Sequence, residues 1–387
     1  MSKPGQLSLW RYYAIEGFAA FVCTIFQMGI FFWAKERHGF SPTQCLLLGA
    51  TQGTAYMLSA RFGGAKAALI GYDRMLRITL TGMALVALFL WRIEWMWIPF
   101  FLMGLYTTFT GLFWPSTEAS VLHAPSALNA PRRLAIYNSV WSCGSAFGFF
   151  VCGFLVAHKI DAVMWLPGIV MTSLFSLFAI PGRPKSGSHH GAAAHDENAT
   201  LDATTKRRFM HMHWLANSLA YFLITSFSAL LPHLGEKLGL SASATIWLTC
   251  SYLFSRAISF AILMKWDGWH YHIGWSLAAI WATLACAAVM FLCPWPALVL
   301  AACLVFGFAL GLSYSGSLYY SMNYGENKGE HGGLHEAILG SGIFFGPLAG
   351  AGGAAFCGAN GASVAVITVA AVAVSAGIVT INRINRR

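Results

Sequence analysis

Charge is the scarcest thing in this sequence. Only 10% of its 387 residues are Asp, Glu, Lys or Arg, and 14 are acidic, against about 25% charged in soluble globular domains. That scarcity excludes a soluble domain: 57% of the chain is hydrophobic and its mean hydropathy is +0.61. Cysteine patterning is equally bare. Nine cysteines, odd in number and without a Cys-x-x-Cys, lie in apolar runs, which fits small buried hydrophobes rather than disulfides or metal ligands. The sequence also lacks HExxH, a nucleophile elbow, paired catalytic carboxylates and an ATP-binding loop. Neither an enzyme nor an ATP-driven pump is expected, and no bound cofactor or metal. The first apolar run is long and carries Glu16, so it reads as a membrane span rather than a cleavable leader.

What the chain has instead is apolar runs of spanning length separated by short polar turns. A span needs about 20 such residues, and twelve are expected: Leu9 to Trp33, Thr43 to Leu69, Leu76 to Trp91, Trp95 to Val121, Leu134 to Ala157, Ala162 to Ile180, Phe209 to Leu231, Ser241 to Met264, Ile273 to Cys293, Pro296 to Tyr320, Leu334 to Cys357 and Ala362 to Ile381. The fold class is an all-α polytopic membrane protein. The formal charge of +10 does not point to nucleic acid, because 16 of the 24 basic residues fall in the termini and every second loop, while the alternate loops hold Lys35, Arg37, Arg92, Lys159 and Lys237. By the positive-inside rule both termini are cytoplasmic, as expected for a bacterial inner-membrane protein. The one long polar segment, 181–208, reads as a flexible cytoplasmic linker between a six-helix bundle at 1–180 and another at 209–387. Its His189, His190 and His195 are either incidental or a metal tract.

Three basic residues remain inside helices: Arg61, Lys66 and Arg256. Tyr56-Met57-Leu58-Ser59-Ala60-Arg61 runs down to Asp73, and Tyr252-Leu253-Phe254-Ser255-Arg256 runs down to Asp267, separations of 12 and 11 residues. Each arginine therefore sits roughly 16 to 18 Å above its loop aspartate, near the middle of a ~30 Å hydrocarbon layer. Charge in that place is costly and functional by default, and its repetition points to an internal duplication with a site between the halves. Lys66 lies closer to the interface and can snorkel. A second echo runs at an offset of 198: Tyr137, Asn138, Gly144 and Gly148 against His335, Glu336, Gly342 and Gly346. Small residues four apart let helices approach closely in lipid.

Two six-span halves, a cytoplasmic linker and the loop Asp73-Arg74-Met75-Leu76-Arg77 together resemble the major facilitator superfamily. That loop is similar to the family's D-R-x-G-R motif, with Leu76 in place of the glycine, and Asp267 occupies the corresponding place in the second half. The resemblance implies that Asp73, Arg74, Arg77 and Asp267 gate the inner side, although any short cytoplasmic loop tends to hold basic residues. The family's drug–proton antiporters carry an arginine within span 4. Phe101 to Trp114 contains none, so proton-driven drug export is not implied.

The resemblance also implies a substrate site at the midplane between the halves. Arg61 and Arg256 are expected to face each other across it, each presenting a planar fork suited to carboxylate, phosphate or nitrate oxygens. Gln27, Tyr106, Trp114, Asn217, Tyr221, Tyr314 and Tyr320 are candidates for its walls. Glu16, Glu118 and Glu336 are the acids within or bordering the spans. Glu16 and Glu336 lie about two turns below the arginine level, which disfavours direct ion pairs without excluding internal pairing. Glu16, His335 and Glu336 are candidates for a coupling proton, and capping of a helix start accounts for Glu336 equally well. The expected function is secondary active transport of a small anionic solute by a monomer in a lipid bilayer, with a coupling proton or cation. The alternatives are a carrier of a neutral metabolite such as a sugar or nucleoside, and a membrane receptor that does not transport.

Overall fold

The computed structural model describes residues 7–179, 201–323 and 328–384. The histidines of the linker and the His335 side chain lie outside the described residues. Helices α1 (Leu9–His38), α2 (Pro42–Ile70), α3 (Tyr72–Phe89), α4 (Ile98–His123), α5 (Ala130–His158), α6 (Ala162–Ser173) and α7 (Ser176–Ala179) precede residue 180. After residue 200 come α8 (Ala203–Lys237), α9 (Ala242–Leu263), α10 (Ile273–Leu292), α11 (Pro296–Asn323) and α12 (Lys328–Ile384). Eight helical segments among the described residues are long and apolar enough to cross a membrane. The last is a pair of spans in sequence terms, because α12 bends at Cys357 and Gly358, whose φ of 58° and ψ of −146° suit glycine alone. The bend brings the two legs of α12 together where Gly353 and Gly361 leave room for each other's backbone.

Helix ends follow local chemistry. Ser41 caps α2 in a reciprocal box with Gln44, with Pro42 at the first turn, which satisfies backbone donors that a membrane interior would leave orphaned. Asn129, Asp202 and Ser241 accept from the third residue of α5, α8 and α9 in the same way. Buried hydroxyls are absorbed within their own helices: Thr117, Ser120, Ser226 and Ser313 each donate to the carbonyl four residues earlier.

The small-residue faces are packing faces. A Cβ on Gly144 or Gly148 would fall 2.4 Å from the carbonyl oxygen of Gly17 or Phe21 on α1. On Gly342 or Gly346 it would fall 2.3 or 2.1 Å from that of Ser218 or Phe222 on α8. Helices α5 and α12 therefore press on the first helix of their own halves through the same pair of positions, which is how the offset of 198 residues is realised in space. The halves meet along two related seams. In one, α2 lies on α12, with Gly53 against the Phe344 backbone. In the other, α5 lies on α9, where Trp247 Nε1 donates to the Phe150 carbonyl and the Cys250 thiol to that of Ala146.

Candidate functional site

Between the seams lies a cavity of about 180 Å³, lined near the middle of α1, α2, α5, α8 and α9 and by parts of α4, α11 and α12. One water needs about 10–15 Å³ measured this way, so the space admits a small solute. Arg256 is built into its wall. The side chain is 2% exposed, its Nε has no hydrogen-bond partner, and its Nη2 reaches only the Tyr221 hydroxyl, at 3.5 Å. Instead of a carboxylate it has aromatic faces: Trp141 at 4.8 Å, Tyr314 at 5.0 Å, Phe260 at 5.4 Å and Tyr221 at 6.0 Å from ring centroid to guanidinium carbon. Ring quadrupoles stabilise a buried cation without using its N–H donors, which stay available to a ligand.

Arg61 is not in this site. It lies on an exposed face of α2, beside Leu58 and Phe62, which are 57% and 53% exposed. Helical phase explains the correction. Tyr56 and Tyr252 both line the cavity; Arg256 follows its tyrosine by four residues and Arg61 by five. At about 100° per residue, Arg256 is turned about 40° from Tyr252, whereas Arg61 is turned about 140° from Tyr56. The extra residue, Ala60, is buried where a matching arginine would be.

Acids occupy the cavity instead. Glu118 and Glu336 both line it. The Glu336 Oε2 accepts from the Tyr56 hydroxyl at 2.5 Å, a buried bond that joins α12 to α2 across the seam. The fully buried Glu16 lies beside Tyr137, and neither of its oxygens has a partner of normal hydrogen-bond geometry. Among the described residues the ion pairs within 4 Å are Lys35–Glu236 and Arg37–Asp161. Arg256 is therefore not paired with an acid.

Gln27, Trp114, Tyr221 and Tyr314 line the cavity as expected. Three others do not. Tyr106 is buried in the core, stacked 3.9 Å from Phe26 and donating to Cys23 Sγ. Asn217 sits one turn before Tyr221, buried within α8 but off the cavity wall. Tyr320 accepts from the Tyr271 N–H and braces the loop after α9. Sequence reasoning missed Gln52, Asn138 and Trp141. Periodicity held the signal: Trp141 lies one turn beyond Tyr137, and Gln52 one turn before Tyr56.

A second cavity of about 430 Å³ opens toward the termini, between the start of α5, the end of α9 and α11, with Arg132, Lys265, Asp267 and His270 in its wall. Asn138 borders both cavities. On the opposite face the halves are clasped, since Lys35 Nζ at the end of α1 bonds to the Pro232 carbonyl at 2.8 Å and to Glu236 at 2.5 Å. Asp73 is engaged within its own half by the Tyr12 hydroxyl at 2.6 Å. Arg77 lies over the Phe178 ring, and Arg74 is exposed.

A helical membrane protein with a polar, partly enclosed site between two duplicated halves belongs by architecture to the carriers. Residues 14–347 match the family model of the Major Facilitator Superfamily, and the chain belongs to that superfamily. Similar solved structures are a point mutant of the nucleoside transporter NupG (TM-score 0.73, 9% identity, covering 97% of this chain and 99% of that one) and a bacterial homologue of the human lysosomal transporter Spinster in an inward-facing, unoccupied conformation (TM-score 0.66, 11% identity, 100% and 97%). At those identities the likeness is one of fold. A comparison with curated proteins finds no match.

Proposed function

We propose that this carrier moves a small solute bearing an anionic group, and that Arg256 alone anchors that group. The observation behind the reading is a buried guanidinium in the cavity wall, surrounded by four rings and with Nε unpartnered. Arginine keeps its charge when buried, and its fork matches carboxylate or phosphate oxygens at two points. The two-arginine clamp is set aside, since Arg61 lies elsewhere. Alternating access follows from the clasp on one face and the second cavity on the other, with Glu336 and Tyr56 linking the halves beside the solute. Glu16 and Glu336 are the proposed carriers of a coupling proton.

Gln27, Gln52 and Asn138 beside Trp114 and Trp141 favour a second reading, a neutral planar metabolite such as a nucleoside. Counterflow in proteoliposomes separates the two. Arg256→Gln should abolish uptake of organic anions while the purified variant keeps its thermal stability. Anion uptake at the wild-type rate in that variant would overturn the anchor. Displacement by uncharged nucleosides with Arg256→Gln still active would favour the second reading, and binding without counterflow would identify a receptor.

A further inference from the structure

We propose that the solute is a zwitterion, its anionic group on Arg256 and its cationic group between Glu118 and the face of Trp114. The inference rests on the anchoring role of Arg256. It adds the other end of the molecule, and with it the substrate class.

The cavity wall carries groups of both signs. The later half supplies Arg256 on α9, the cation among the described wall residues, and Glu336 on α12, whose Oε2 is taken by the Tyr56 hydroxyl. The earlier half, whose corresponding arginine is turned away, supplies Glu118 on α4. Trp114 and Glu118 are four residues apart on α4 and both line the cavity, so one helical turn offers it an aromatic ring and a carboxylate. That pairing is how proteins hold ammonium groups, combining cation–π attraction with a charge-assisted hydrogen bond.

Charge balance leads to the same class of ligand. Among the described residues, apart from tyrosines, the ionisable groups in the wall are Arg256, Glu118 and Glu336. A simple anion on Arg256 leaves nothing for the Glu118 carboxylate to bind and brings like charge toward it, in surroundings where like charges are poorly screened. A zwitterion changes the net charge by nothing and places each of its ends beside the opposite sign. A simple cation would leave Arg256 buried without an anion.

The test uses the full-length protein in proteoliposomes and matched trios of probes: phenylalanine, tyrosine and tryptophan, each with its des-amino acid and its decarboxylated amine. Inhibition of counterflow and thermal stabilisation are read in parallel. The zwitterion of a trio should act at least about tenfold more tightly than either of its partners, as expected for one added charge-assisted hydrogen bond. A des-amino acid that matches or exceeds its zwitterion throughout, or a panel in which no zwitterion binds, overturns the proposal. Glu118→Gln should collapse the ratio between zwitterion and des-amino acid, and Glu118→Asp should preserve part of it, which guards against a simple folding defect. If Arg256→Gln abolishes uptake and Glu118→Gln leaves that ratio unchanged, the zwitterion fails and the anion anchor stands. If Arg256→Gln has no effect, the anchor itself fails.

Discussion

Arg61→Gln and Arg256→Gln, made separately, should differ in effect by orders of magnitude, although the sequence presents the two arginines as copies. At position 256 the substitution removes a buried cation on which an anionic ligand group rests. Truncating one partner of a buried, hydrogen-bonded charge pair costs about 2–5 kcal/mol, which corresponds to affinity weakened by about thirtyfold to several thousandfold. Folding should hardly respond. The variant loses cation–π contacts at 4.8 to 6.0 Å, worth about 0.5–2 kcal/mol each, but it also removes a charge held without an anion, and the two effects oppose. Arg256→Lys should recover only part of the affinity, because an ammonium lacks the planar fork. At position 61 the side chain is exposed and about 140° from the cavity-facing Tyr56, and surface substitutions of this kind stay within about 0.5 kcal/mol. Counterflow rates and dissociation constants for both variants, with unfolding temperatures in detergent as the control, decide the matter. Equal losses at the two positions would refute the helical-phase argument and restore the symmetric clamp.

Three further outcomes follow from the same geometry. Gly346→Val places a side chain where a Cβ already meets the Phe222 carbonyl oxygen at 2.1 Å, so it should destabilise by about 1–3 kcal/mol or more in thermal unfolding, whereas Gly352→Ala, with nothing within 4 Å, should be neutral. Lys35→Gln removes the clasp opposite the termini; the ion pair is partly exposed and worth about 0–1 kcal/mol in stability, yet labelling of a cysteine introduced at Ser228, on the cavity wall, should become faster from that face. Tyr56→Phe deletes the donor to Glu336 and leaves a buried carboxylate short of one partner, at a cost of about 1–3 kcal/mol, and should appear as slower transport with little change in equilibrium binding.

Much of the fold was legible because lipid imposes a coarse grammar. A run of about 20 apolar residues has few alternatives to a spanning helix, and the glycine pairs at 144/148 and 342/346 marked the tight helix contacts that the structure contains. The site was legible only in part, for a reason visible in α2. Depth in the membrane can be read from the distance between Arg61 and Asp73, but azimuth is lost with a single inserted residue. Tyr106 and Tyr320 show the remaining ambiguity. A tyrosine inside a bundle hydrogen-bonds whatever is near, and Cys23 and the Tyr271 backbone claimed these two before any solute could.

The duplication therefore matters most where it fails. Tyr56 and Tyr252 keep equivalent places on the cavity wall, so the halves still correspond in their packing up to that turn. One turn later Ala60 stands in the first half where Arg256 stands in the second, and the first half contributes Glu118 instead. Two facing arginines would have made a site symmetric in charge, indifferent to which half holds which end of the solute. With Glu118 in the first half and Arg256 in the second, opposite signs face the cavity from the two halves, and the second half's Glu336 is engaged by the Tyr56 hydroxyl. A solute held between Glu118 and Arg256 touches opposite signs on two halves that must move relative to each other, so its binding energy depends on their separation. A ligand confined to Arg256 alone would move with its own half and exert no such pull. On the zwitterion proposal, the broken repeat is what lets occupancy of the site bias the motion of the carrier.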